Sequence, residues 1–543
     1  MVFARRSTTL LAAIIASCAM VLSLTACTSD NKTVVDGQTT VTSNSAGGVA
    51  VFTPSDGITL NQQTPLNKWA KLVPDLTKAL VDAGFKKGDI NHTTSDSLDK
   101  QSRAIQDFVV DHLSNNTTDD SGIAIAPDNM TLLVAPVVEA DASTRQYGDY
   151  ISQNLSTNDA TDEGATSDGE SSEDDSSKDD SSNTESDSTA SDEQAQAVDR
   201  LVSSLKLAKE SGMHVVLLGN SIEGYKPDAF VKFSDAQTIG KLQAEKMVSK
   251  LKLDKASKDN PKYIEVLLPY TAMDEKGNAN DSTFAQEAFR GIWQVLGSYY
   301  QKGVVESPSG TLDGKSTEND WQAVAYDAAK EGSTAKVLDK RLAKTDGQST
   351  LTRIDGIITM NDYIASEVVK ELDDLGYTGS AADINPQITI SGIVGNITGK
   401  KDLSRDAVPD PIKSPENDNA NDSSSSDDDA DKDTSASDKD RDSQWPLVTG
   451  YGAYVSNIPS IVNGKQWMTG MEDRQTIATD IAQACAKLNK DEALNSMPSI
   501  RNSEVGGVKK IPTISEPLLA VSASNLKSAL IDPGYISLAD AGL

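Results

Sequence analysis

Residues 446–454 read PLVTGYGAY. A proline and an apolar pair lead into Gly-Tyr-Gly, with a second tyrosine two residues on. The pattern is that of a buried strand ending in a glycine-rich loop, a place where α/β proteins hold ligands. The loop offers the phenols of Tyr451 and Tyr454, a hydroxyl and bare backbone, with no acid, base or thiol. Its chemistry is contact through ring faces and hydrogen bonds. The candidate catalytic groupings fail on spacing. GNSIEG (219–224) is one residue too long for a GxSxG elbow, and no histidine is placed to serve Ser221. SSLK (203–206) fits SxxK but falls on a helix face as ordinary solvent residues. SGTLDGKS (309–316) lacks phosphate-loop spacing. His92, His112 and His214 are too scattered for a metal site, and Cys485 sits in a helical pattern where a small buried residue is expected. The chain is expected to be no enzyme and to carry no cofactor or metal.

The elements that would position a ligand alternate along the chain. WAKLVPDLTKALVDAGF, QAVDRLVSSLKLAKESG, DAQTIGKLQAEKMVSKL, STFAQEAFRGIWQVLG, NDWQAVAYDAAKE and YIASEVVKELDDLGY read as helices. TLLVAPVV, HVVLLGN, YIEVLLPY, IDGIITMND, QITISGIV, PLVTG and QWMTGM read as strands. Short apolar runs alternating with helices mean βαβ units and parallel sheets. The strands are too many for one comfortable sheet, so two doubly wound lobes are expected. Ligands in such folds bind beyond the carboxyl ends of strands. Those ends are Pro136–Glu139, Gly219–Ser221, Pro269–Thr271, Asn361–Asp362 and Gly450–Tyr454.

The net charge of −31 is mostly local. Residues 156–193 hold fourteen acids and one lysine; residues 414–443 hold eleven acids and three bases. Both are Ser/Asp low-complexity tracts, expected as disordered, solvated insertions. Neither contains a DxDxDG-type calcium loop with a closing glutamate. The acidity argues against a nucleic-acid partner.

At the N-terminus, Arg5 and Arg6 precede the apolar run TLLAAIIASCAMVLSL, and LTAC ends at Cys27. This resembles the lipobox of bacterial lipoproteins. The resemblance implies cleavage before Cys27, diacylation of its sulfur and a membrane anchor on the extracytoplasmic side. The mature chain then has no cysteine pair for an internal disulfide. Residues 28–57, rich in Ser, Thr, Asn and Gly, are expected to be a flexible tether.

From about Lys68 to Leu543 the order of motifs resembles a periplasmic binding protein of the ribose/xylose type. More narrowly, it resembles the multiple-sugar-binding lipoproteins of xylose/galactose ABC importers. The stretches that carry the likeness include SDAQTIGKLQAEKM (234–247), FRGIWQVL (289–296), IDGIITMND, PLVTGYGAYVSNIPSIVNGKQWMT and VKKIPTISEPLLAVSASNLKSALIDPGY. The resemblance implies a type I periplasmic binding protein fold, two doubly wound parallel-sheet lobes joined by a three-segment hinge. It also implies a carbohydrate held between the lobes, ABC permease subunits as partners and a monomeric protein. The expected divisions are a signal peptide over 1–27, a first lobe over 58–221 plus about 471–510, and a second lobe over 222–470. The segment 511–543 returns across the hinge.

The pocket positions depart from that family. Its Tyr-Asp-Arg strand end is Leu218-Gly219-Asn220 here, its Gly-Gln-Asp-Ala is Gly450-Tyr451-Gly452-Ala453, and a family lysine becomes Glu472. Lys68-Trp69, Asp235, Trp321 and Asn361-Asp362 survive. The candidate ligand-binding residues are therefore Trp69, Asn220, Trp321, Asn361, Asp362, Tyr451 and Tyr454. Each has a second reading: the tryptophans and tyrosines as packed aromatics, and Asp362 as the cap of a helix starting at Tyr363. Asp235 reads first as a helix cap. With Phe284, the tyrosines make the crevice more aromatic than a standard sugar site.

Overall fold

The computed structural model describes residues 46–55, 65–115, 125–138, 144–157, 185–273, 280–343, 350–381 and 445–543, with the short pairs 34–35 and 38–39. The signal segment, Cys27, the acidic tract 414–443, most of the tract 156–193 and the expected strand QITISGIV lie outside the described residues. Val34–Val35 pairs antiparallel with Gln38–Thr39. From Ser45 onward the chain is one unit.

The first lobe is built on seven strands in the order Ile500–Val505, Val508–Ser515, Ala229–Lys232, His214–Leu218, Met130–Val134, Gly48–Pro54, Ile90–Ser95. All neighbours are parallel except the hairpin formed by the first two. Alternation along Gly48–Pro54 sorts its side chains onto two faces. Val49 and Val51 meet the helices Trp69–Asp82 and Arg474–Leu488, while Ala50 and Phe52 meet Leu98–Asn115 and Glu185–Glu210. Each buried Val, Leu or Phe contributes about 1.5–3 kcal/mol, so a strand with both faces covered is held from each side.

The second lobe has four parallel strands in the order Val305–Glu306, Lys262–Val266, Gly356–Ile358, Leu447–Thr449. The helices Ala236–Leu251 and Thr283–Gln301 pack closely because Gly291 faces the backbone of Gln237. A Cβ at Gly291 would sit 2.0 Å from Gln237 O. Met468–Met471 pairs antiparallel with Leu519–Ser522, and the last residues pack on Ile458, Ile461 and Met471. The chain passes between the lobes at 232–236, 471–474 and 515–519.

Several expectations need correction. The tether does not reach residue 57, because Gly48–Pro54 is a buried central strand. The polar composition upstream hides this apolar run. The first lobe extends past 221, because Ala229–Lys232 pairs with both His214–Leu218 and Val508–Ser515. It also holds residues up to Ser515, so the last passage follows 515 and not 510. The acidic tract is helical from Glu185 onward, where it runs into the helix that covers the sheet. The segment NDWQAVAYDAAKE is helical only over Trp321–Val324. Ala325–Tyr326 leaves the helix to pair with Leu268–Pro269.

Candidate functional site

The sites of interest lie at the carboxyl ends of both sheets. In the first lobe, the strand His214–Leu218 delivers Asn220, a buried residue. Its Oδ1 accepts from Gln153 N at 3.0 Å, and its Nδ2 donates to Pro136 O at 3.0 Å. Trp69 opens its helix and packs edge-on against Tyr150 (5.0 Å between ring centroids) and Phe233 (5.7 Å). In the second lobe, Asn361 rather than Asp362 caps the helix Asp362–Asp374, its Oδ1 accepting from Ile364 N at 2.9 Å. Asp362 is already the first helical residue. Its Oδ2 accepts from Tyr454 N (2.9 Å) and Thr469 Oγ1 (2.8 Å), and its Oδ1 accepts from Gln466 Nε2 (2.7 Å). Burial nevertheless pushes the Asp362 carboxyl up to about 6, outweighing those donors.

Tyr451 is fully buried and lies at the passages between the lobes. Its Oη is 2.7 Å from Ser234 Oγ on the first passage. Ser234 N donates to Glu472 Oε1 at 2.7 Å, the Ser234 hydroxyl donates to the same oxygen, and Glu472 N donates to Asn67 Oδ1 at 3.3 Å. Two passages are thus bonded to each other through a buried acid. Desolvation raises the Glu472 carboxyl to about 7, and burial beside Glu472 raises the Tyr451 phenol. Asp235, next to Ser234, caps its helix by accepting from Thr238 N at 2.7 Å.

The segment Gln146–Leu155 runs through this crevice. Sequence reasoning did not single it out. Tyr147, 1% exposed, belongs to the core of the second lobe, 4.6 Å from the Phe284 ring and 6.2 Å from Tyr451. Gln146 Oε1 accepts from Asn361 Nδ2 at 3.0 Å, and Gln146 O accepts from Tyr454 Oη at 2.7 Å. Three residues later the contacts change lobe. Tyr150 stacks on Phe233 at 4.7 Å and donates to Lys68 O at 2.5 Å. Asp149 accepts from Lys68 Nζ (2.7 Å) and Trp69 N (3.0 Å). Gly148 between them has φ +100°, and a Cβ there would lie 2.5 Å from Asn67 O, so no other residue fits without strain. Asn154–Leu155 then pairs in parallel with Ser221–Ile222.

Six of the seven candidates thus gather around one crevice or its hinge, and each is buried against the protein's own groups. Asn220, Asn361, Tyr454 and Trp69 touch Gln146–Leu155 directly. Trp321 makes none of these contacts and packs in the core of the second lobe, edge-on at 5.2 Å to Tyr270, which follows the strand end Leu268–Pro269. Cys485 is buried with its thiol shifted upward, in keeping with a packing role. Among the described residues, no group of three or more His, Cys, Asp or Glu could hold a metal, and no helix is long and apolar enough to cross a membrane. A separate cavity of about 450 Å³ opens at the amino ends of the first-lobe strands, beside His214, Asp228, Leu488, Glu492 and Asn502. None of the candidates lines it.

No family model matches the chain, and no curated protein matches it. Solved structures do resemble it loosely. A solute-binding protein of an ABC transporter from Clostridium phytofermentans, with bound β-D-glucose, is 16% identical with a TM-score of 0.44, covering 91% of this chain and 99% of that one. A carbohydrate-transporter solute-binding protein from Chloroflexus aurantiacus, in complex with D-glucose, is 18% identical with a TM-score of 0.42, covering 92% and 98%. A periplasmic ribose ABC transporter protein from Conexibacter woesei is 13% identical with a TM-score of 0.42, covering 90% and 96%. The site above rests on this chain's own side chains and on none of theirs.

Proposed function

We propose that this protein is a non-enzymatic, lipid-anchored extracytoplasmic solute-binding protein that takes a carbohydrate between its lobes and hands it to an ABC importer. One observation carries the reading: the strand ends of both sheets converge on one segment, and the chain passes between the lobes three times. Such a crevice closes by hinge motion and presents a different surface when closed. Its groups suit a sugar, whose C–H faces stack on rings and whose hydroxyls need amide and carboxylate partners. Thermal denaturation with pentoses, hexoses and oligosaccharides tests it. A millimolar sugar at micromolar Kd adds about 4 kcal/mol, and a flat response to every sugar overturns the reading. Cys27→Ser should move the protein from the membrane pellet to the soluble fraction.

A second reading keeps the fold and the anchor but not the transport task, making the protein a diverged sensor or accessory lipoprotein, or one that binds a non-sugar ligand. It is favoured by the burial of all seven candidates against protein partners. Genes for a permease and an ATPase beside this one support import; their lack supports the second reading.

A further inference from the structure

We propose that Gln146–Leu155 is an intramolecular plug, standing where a hydroxyl-rich ligand would stand and releasing the second lobe before such a ligand enters. The proposal rests on the solute-binding reading for the nature of the ligand, but not for the plug itself. The segment follows a strand of the first lobe, Met130–Val134, yet Tyr147 and Ile151 lie in the core of the second. Tyr150, between them, lies in the core of the first. A stretch of five residues therefore ties both lobes together.

Its bonds use the groups a sugar would use. The Asn361 amide donates to the Gln146 side-chain carbonyl, and the Tyr454 hydroxyl donates to the Gln146 backbone carbonyl. The Asn220 carbonyl accepts from Gln153 N, and the Trp69 ring is covered by Tyr150. The attachments are unequal. The first lobe holds the segment by an ion pair, a helix N-terminus, a stacked ring and a strand pairing. The second lobe holds it by the Tyr147 ring, the Ile151 side chain and the two Gln146 bonds. Opening therefore separates Gln146, Tyr147 and Ile151 from the second lobe, and the segment stays with the first.

The test uses the full chain with spin labels at the exposed positions Lys78 and Lys340, one on each lobe, together with calorimetry against D-glucose, D-xylose, L-arabinose and D-galactose. Tyr147→Ala should lengthen and broaden the interlobe distance and raise affinity for a sugar at least tenfold. Tyr147→Phe, which keeps the ring, should leave the distance unchanged. A longer distance with no sugar bound by any variant supports the plug and overturns the carbohydrate reading. An unchanged distance and unchanged affinity in Tyr147→Ala overturn the plug. If Tyr147→Ala does not fold, the double variant Gln146→Ala/Tyr454→Phe decides by distance alone. That variant removes both hydrogen bonds and keeps every ring. A longer interlobe distance supports the plug, and an unchanged one overturns it.

Discussion

The two ends of Gln146–Leu155 meet the protein in different ways. At the Asp149–Leu155 end the contacts are mainly with the first lobe, through a carboxylate on a helix N-terminus, a ring in the core and a separate two-stranded pairing, while Ile151 enters the core of the second. At the Gln146–Tyr147 end the contacts are one buried ring and two hydrogen bonds on the second lobe. The first end forms with its lobe, so losing it damages a core. The second forms only when the lobes meet, so losing it changes their separation more than their folding.

The largest effect should come from the first end. Tyr150→Ala should lower stability to urea by about 3–5 kcal/mol, because its cavity lies in a packed core that cannot collapse. An equal effect from Tyr147→Ala would erase the distinction between the ends. The next effect concerns the passages, which hold the lobes without the segment. The Glu472 carboxyl is raised to about 7 in the folded protein. Its stabilising contribution is complete below the unfolded carboxyl range near 4.3 and is lost as pH rises through about 7. Glu472→Gln keeps an acceptor for Ser234 but cannot ionise. It should match the natural protein near pH 4 and exceed its stability by ~3–4 kcal/mol above pH 7, read from urea midpoints across that range. Parallel curves would remove Glu472 from the account of closure.

Tyr147→Ala should cost only about 1–2 kcal/mol of global stability, since separating lobes can relieve the cavity. Chemical denaturation beside Tyr150→Ala gives the comparison. The smallest effect should be Asp149→Asn at about 1 kcal/mol. It weakens the partly exposed ion pair to Lys68 and the charge at the helix N-terminus while keeping an acceptor. Addition of 0.5 M salt should shrink the difference between Asp149→Asn and the natural protein, because screening acts on that pair.

Much of the scaffold was legible from local pattern. TLLVA, HVVLL and GIIT are apolar runs with few alternatives to a buried strand. Asp235 before a helical repeat reads as the cap it is, and Cys485 as the packed residue it is. The strand Gly48–Pro54 was hidden by the polar stretch before it, which dominates the local composition. The site was less legible. Asn361, Asp362, Tyr451 and Tyr454 became candidates because strand ends point to them. Their partners were not, because Gln146 and Tyr454 are 308 positions apart. QYGDY carried one available signal: two tyrosines around Gly-Asp in a polar stretch, beside an acidic tract.

The sequence by itself determined the alternation of strands and helices, the Asp235 helix cap, and in PLVTGYGAY a glycine-rich strand end that carries Tyr451 and Tyr454 and no carboxylate. These follow from short-range propensity and apolar periodicity, which each stretch carries alone. Tertiary structure alone decided that those tyrosines face the protein's own groups. It bound Tyr451 to Ser234 near the buried acid Glu472, and Tyr454 to Gln146 across the crevice. Such contacts depend on which distant segments share a site, and the desolvation that raises Glu472 and Asp362 exists only once those segments have packed together.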